Sequence, residues 1–247
     1  MTSVPSNGGN PRTFVLIHSA WHGGWCWRRV SDLLARRGYR TLSPTLTGLG
    51  ERSHLMNPAI DLDTHTHDIV NAVRWENLDD IVLVAHSYGG FVAAGVLEAL
   101  GPLVSSLVLV DAFFPRDGEA MIDVLPSRPR QNVEEALAKG EMVLPPRPAA
   151  SFRINDADRE WVDSMCTPQP LGTFLQRRRI QRGCTSLRRK AFVRATDFPS
   201  ESFDQVRDRL QSTGGWEIYD VACGHDVMLD DPEALSEILH LQAQWQT

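Results

Sequence analysis

The sequence predicts an α/β fold built on a mostly parallel sheet flanked by helices. Short apolar runs alternate with helical patterns over the first half of the chain, as in strand–helix–strand units. Two of those runs, residues 81–85 (IVLVA) and 107–110 (LVLV), are apolar throughout, the pattern of strands buried on both faces. Between them lies a turn rich in small residues that leads into a helical stretch.

Taken in order, residues 1–12 are polar, contain no apolar core of the kind a signal peptide needs, and read as a flexible leader. Residues 13–17 (TFVLI) predict the first strand. Residues 28–37 predict a helix with Val30, Leu33 and Leu34 on one face and Gly38 closing it. Residues 39–43 predict a second strand, and Asp63 or Thr64 can cap a helix that runs to Trp75. The strand at 81–85 is followed by a helix at 91–100 and a strand at 107–110. The alternation then stops. Over residues 113–184 prolines cluster (Pro126, Pro129, Pro145, Pro146, Pro148), and the segment reads as a partly helical cap inserted on the sheet. Strands resume at 190–194 and 216–221, and a last helix is expected at 232–245. Residues 1–247 therefore read as one domain carrying a cap.

Lys and Arg number 25 against 31 Asp and Glu, a net charge of −6 that argues against a nucleic-acid partner. The most apolar stretch, 81–110, is broken by His86, Glu98 and Pro102, so no membrane span is expected. Cys26, Cys166, Cys184 and Cys223 lie far apart without a CxxC pair, which suggests reduced thiols in a cytoplasmic protein. The expected partner is a small molecule; self-association into a homo-oligomer stays open.

The strongest chemical signal is Ala85-His86-Ser87-Tyr88-Gly89-Gly90, a G-x-S-x-G pattern with Ala in the first position. An apolar strand precedes it and a helix follows, which is the context a nucleophilic serine on a sharp turn requires. Small residues two positions before and after the serine keep neighbouring backbone clear. Ser87 is the candidate nucleophile. The backbone N–H of Tyr88 is then one candidate oxyanion donor, and Ala20, in the loop after the first strand (His18 to Trp25), is the other. A serine hydroxyl also needs a base. His225, in Cys223-Gly224-His225-Asp226, lies between the last strand and last helix, at the sheet edge expected for Ser87. The order Ser, Asp, His favours Asp197, 28 residues before His225, as the acid; Asp111, which ends the run LVLVD, is the alternative.

The segments FVLIHSAWHGGWCW, PTLTGLGERSH, LDTHTHDIV, VLVAHSYGG, LVLVDAFFP and CGHDVM together resemble the α/β-hydrolase superfamily. Within it they resemble the plant methyl-ester esterases and hydroxynitrile lyases with their bacterial esterase relatives. The resemblance implies an eight-stranded sheet, a helical cap, no cofactor, and a triad of Ser87, Asp197 and His225 with backbone donors at Ala20 and Tyr88. It implies a serine hydrolase cleaving a small-molecule carboxylic ester through an acyl-enzyme. Amide or carbamate cleavage, a carbon–carbon lyase and a non-catalytic binder are the alternatives. Three departures stand out. Asp226 occupies the position where the lyases carry a lysine, a sign that disfavours an anionic leaving group. Ser19 stands where the lyases carry threonine and the esterases glycine. The segment ATDFPSESF is about one residue shorter than the plant pattern, a difference that bears on where Asp197 sits.

Other signals read as structural. His65 and His67 in LDTHTHD are two residues apart on an expected helix, face different sides, and suggest a solvated helix start; no metal site is expected. Gly48-Leu49-Gly50 lacks the third glycine of a dinucleotide fingerprint. The basic run Arg177, Arg178, Arg179, Arg182, Arg188, Arg189 and Lys190 reads as a solvated face.

Overall fold

The computed structural model describes residues 12–181 and 187–244. In chain order the first half holds β1 (Thr13–Ile17), α1 (Arg28–Arg36), β2 (Arg40–Leu42), α2 (Leu62–Trp75), β3 (Ile81–His86), α3 (Gly89–Leu100) and β4 (Val104–Val110). The chain then leaves the sheet for α4 (Met121–Val124), α5 (Ser127–Ala138), β5 (Val143–Leu144), α6 (Arg159–Met165), β6 (Gln169–Pro170) and α7 (Gly172–Leu175). It returns through β7 (Arg189–Ala195), α8 (Glu201–Thr213), β8 (Glu217–Val221), α9 (Val227–Asp230) and α10 (Pro232–Ala243).

Six strands form one sheet in the order β2-β1-β3-β4-β7-β8, and every pairing is parallel. That is two strands fewer, among the described residues, than the resemblance implies. β3 and β4 are buried along their whole length, which is why residues 81–85 and 107–110 within them read as unbroken apolar runs. Each fully buried Val, Leu or Ile contributes about 1.5–3 kcal/mol relative to exposure, so these central strands anchor the fold. α3 is buried on nearly all sides as well, and it shows no clear apolar stripe for that reason.

Helix α2 starts earlier than expected. Asp61, in extended conformation, is the cap: its carboxylate accepts from the Thr64 amide at 2.8 Å, while Asp63 and Thr64 are already helical. The sequence pattern does not mark α8, whose buried contacts rest mainly on Phe203 and Leu210; an apolar face that narrow gives a weak periodic signal. Between β4 and β7 the short helices and the antiparallel β5–β6 pair lie over the sheet edge. The expected cap end at Cys184, together with Arg182, Trp245 and residues 1–11, falls outside the described residues. Cys26, Cys166 and Cys223 are free thiols. Among the described residues, no helix is long and apolar enough to cross a membrane.

Candidate active site

β3 ends at His86 and the chain turns sharply at Ser87, whose φ of +52° is left-handed. This conformation costs a non-glycine residue about 1–3 kcal/mol and persists only where its surroundings fix it. Here they do. The Ser87 amide donates to Val110 O at 3.3 Å, and its carbonyl accepts from the Gly90 and Phe113 amides at 3.2 and 3.1 Å. The flanking small residues are needed sterically. A Cβ on Gly89 would stand 2.9 Å from His18 O, and one on Gly90 would stand 1.8 Å from Phe113 O.

His225 lies in the loop after β8, pinned by its amide donating to Phe152 O at 2.9 Å and by its carbonyl accepting from His86 Nε2 at 3.0 Å. Its ring packs among Phe152, Phe198 and Phe203, with Phe203 almost parallel to it at 5.1 Å. Its Nδ1 lies 2.6 Å from Asp111 Oδ2. A carboxylate only accepts, so Nδ1 carries the proton and the Nε2 lone pair is left for other work. No hydrogen bond joins the Ser87 hydroxyl to His225; bonds of this kind often tighten only when substrate is bound.

The acid beside His225 is thus Asp111 and not the favoured Asp197. Asp111 follows β4, the immediate neighbour of β3, and is fully buried with a left-handed φ of +40°. Its Oδ1 accepts from Arg194 Nη1 at 2.9 Å and from the Ala195 amide at 3.3 Å. With His225, these donors satisfy a carboxylate that would be costly to bury alone. Asp197 is exposed. Its amide donates to Cys223 O at 3.1 Å and its carbonyl accepts from Arg153 Nη1 at 2.9 Å. These contacts tie its backbone to the loops around it without directing its side chain to His225. Arg194, near the end of β7, turns its cation to Asp111 at 2.9 Å.

A second buried pair adjoins the first. His22 Nε2 lies 2.8 Å from Asp226 Oδ2, and His22 Nδ1 lies 2.8 Å from Ala20 O. Both partners are acceptors, so His22 needs both its protons and is an imidazolium. Burial opposes that charge, but Asp226 prevails and raises the His22 pKa; Asp226 in turn is held below the usual carboxylate range by His22 despite its burial. Asp226 is fully buried. It offers no free charge to a ligand, so its bearing on the lyase comparison is the absence of a cation and not the presence of an anion.

His18 and His65 are neutral because burial opposes their charge and one ring nitrogen of each accepts a hydrogen bond. His18 donates from Nδ1 to Ser19 O and accepts the Leu46 amide on Nε2, and burial pushes its pKa down to about 3. His65 donates to Thr47 O, accepts from the Tyr88 hydroxyl, and is pushed down to about 4 by burial. His65 is therefore a core residue and not part of a solvated helix start; His67, on the other side, is exposed. Arg178 also departs from the solvated reading: it is buried and binds Asp63 Oδ1 at 2.8 Å.

Ala20 and Tyr88 are both buried, and no hydrogen bond among the described residues uses either amide N–H. β1 pairs with β3 up to Ile17 and Ala85, which sets the Ala20 loop beside the Ser87 turn. Among the described residues, one group has metal-ligand spacing, His86, His225 and Asp226, with ligand atoms within 4.8 Å of one another. His86 Nε2 is already given to His225 O and Asp226 to His22, so the group reads as a hydrogen-bond network.

The alpha/beta hydrolase family profile matches residues 14–238. The chain belongs to that family. This α/β hydrolase is 36% identical over 235 residues to a carbendazim hydrolyzing esterase of Nocardioides sp. (strain SG-4G), covering 92% of this chain and 97% of that one. It is 32% identical to methylesterase 9 of Arabidopsis thaliana over 103 residues, a match that spans 41% of this chain and 40% of the plant protein. Its fold is similar to that of an extracellular alpha/beta-hydrolase from a Paenibacillus species. The TM-score there is 0.82 at 21% identity, over 94% of this chain and 99% of that one. With the esterase relatives, the family makes this hydrolase a serine hydrolase that cleaves esters.

Proposed function

We propose that Ser87, His225 and Asp111 form the catalytic triad of this hydrolase, acting on a carboxylic ester of a small molecule through an acyl-enzyme. The observation that carries this reading is the 2.6 Å contact between His225 Nδ1 and Asp111 Oδ2, because it leaves Nε2 as a free base at the sheet edge that holds Ser87. His225 Nε2 takes the Ser87 proton as Oγ attacks the carbonyl carbon. The Ala20 and Tyr88 amides donate to the oxyanion of the tetrahedral intermediate, each donor being worth about 10²–10³ in rate. Collapse expels the alcohol, which receives the proton from His225. Water activated by the same imidazole then cleaves the acyl-enzyme. Asp111 fixes the tautomer and stabilises the imidazolium that forms transiently.

The relative that aligns along most of the chain is named for hydrolysing carbendazim, so that compound belongs in the substrate panel beside simple alkyl and aryl esters. The test is fluorophosphonate labelling with peptide mapping, run alongside ester hydrolysis by Ser87→Ala. Labelling at Ser87 and loss of turnover in the variant are expected. Labelling elsewhere, or an active Ser87→Ala, overturns the assignment.

A further inference from the structure

Two cavities open under the cap, of about 760 and 410 Å³, and Arg147 lines both. The larger reaches Phe198, which touches the His225 ring at 4.9 Å; the smaller reaches Trp21, next to Ala20. Arg147 sits over the Phe152 ring at 4.8 Å, and the same ring stacks on His225 at 5.5 Å. Together these two contacts hold the guanidinium within about 10 Å of the imidazole, the span of one aromatic ring with a substituent at each end.

Arg147 is half-buried, and among the described residues no hydrogen bond or carboxylate engages it. Burial depresses its pKa, the mark of a cation removed from water without a counter-charge. Of the three acidic groups on the wall of the larger cavity, Glu119 pairs with Arg116 and Asp123 with Arg177, while Glu201 accepts from Gln205 Nε2 at 3.0 Å. Other arginines that are withdrawn from solvent have partners, as Arg178 has Asp63 and Arg194 has Asp111 and Asp204. A stacked guanidinium keeps its N–H fork free for a planar anion.

We propose that Arg147 anchors the substrate, and that this site takes aromatic esters bearing a carboxylate at the end of the ring remote from the scissile bond. The proposal rests on the Ser87–His225 reading for where the ester lies. Trp21, Phe152 and Phe198 supply aromatic walls between the base and the anchor.

The kinetic test compares monomethyl terephthalate, which is anionic, with methyl 4-methylbenzoate, its neutral counterpart, on the wild type, Arg147→Met and Arg147→Lys. Hydrogen bonds to a charged partner predict that Arg147→Met lowers kcat/KM for the anionic ester by about tenfold or more relative to the neutral one, mainly through KM. Arg147→Lys should recover part of that ratio. The same ratio in wild type and Arg147→Met overturns the proposal. A calorimetric titration of terephthalate monoamide into Ser87→Ala, with and without Arg147→Met, separates the two readings. Binding to Ser87→Ala that needs Arg147, together with a wild type that hydrolyses neither ester, would sustain the anchor and sink the proposed reaction. Binding indifferent to Arg147 would sink the anchor whatever the turnover.

Discussion

The loop after β8 enters two buried histidine–aspartate pairs: His225 with Asp111 at 2.6 Å, and Asp226 with His22 at 2.8 Å. The contacts are alike, and all four side chains are buried. What differs is the second nitrogen of each ring. His22 donates from Nδ1 to Ala20 O, so both nitrogens donate and the ring is locked as a cation. His225 has no such second partner, so its Nε2 keeps a lone pair. A buried carboxylate therefore makes a base only where the far nitrogen is left unclaimed; where that nitrogen is claimed, the same pair becomes a clamp. The clamp joins the loop carrying Ala20 to the residue directly after His225, tying the oxyanion side of the site to the base side.

The sharpest way to break this comparison is to remove each acid. Asp111→Asn should lower kcat by about 10⁴, the size of the loss when the orienting acid of a serine protease is neutralised. Asp226→Asn should cost far less rate, because His22 does not touch the reacting atoms. Steady-state kinetics on both variants decides it; comparable rate losses would mean that the pairs are not functionally distinct.

Stability should also depend on the clamp. Breaking a buried ion pair costs about 3–5 kcal/mol, or roughly 10 °C of melting temperature for a chain of this size. The sign with pH follows from the shifts. The raised His22 pKa contributes stability that is fully present below pH 6.5 and is lost as pH rises through the raised value. The lowered Asp226 pKa contributes stability present above pH 3.8 and lost as pH falls through the lowered value. The melting-temperature gap between wild type and Asp226→Asn should therefore be widest between about pH 4 and 6.5 and should narrow in alkaline buffer. A gap that is flat or widens with pH contradicts a charged His22.

The smallest effect is expected at Asp197. Its side chain is exposed and its structural contacts are through the backbone, so Asp197→Asn should change kcat less than about twofold and stability within about 0.5 kcal/mol. Parallel kinetics and melts check this, and a dead Asp197→Asn enzyme would return the acid to the loop after β7.

Much of the scaffold is legible in the sequence because its signals are local. β1 falls where the TFVLI run puts it, and β3 and α3 surround AHSYGG as the elbow pattern requires. Ser87 and His225 are marked by their neighbours in sequence: small residues beside the serine, and a strand end before the histidine. The cap of α2 lies two residues before the nearer expected position, because choosing among Asp61, Asp63 and Thr64 depends on which one leaves the helical conformation. His65 and Arg178 carry no local mark of burial, because their partners, Tyr88 and Asp63, are distant in sequence.

The sequence by itself determined the parallel α/β architecture, the strained serine turn and the histidine loop, since each follows from hydrophobic period, residue size or local turn chemistry. Only the tertiary structure decided which aspartate meets His225, because Asp111 and Asp197 both follow strands and both lie between Ser87 and His225 in the chain. The decision lies in sheet order. β4 lies between β3 and β7, which brings its end beside the serine turn and within reach of Arg194 on β7, which binds Asp111. The pairing of His22 with Asp226, 204 residues apart, likewise exists only once the ends of β1 and β8 share one edge of the sheet.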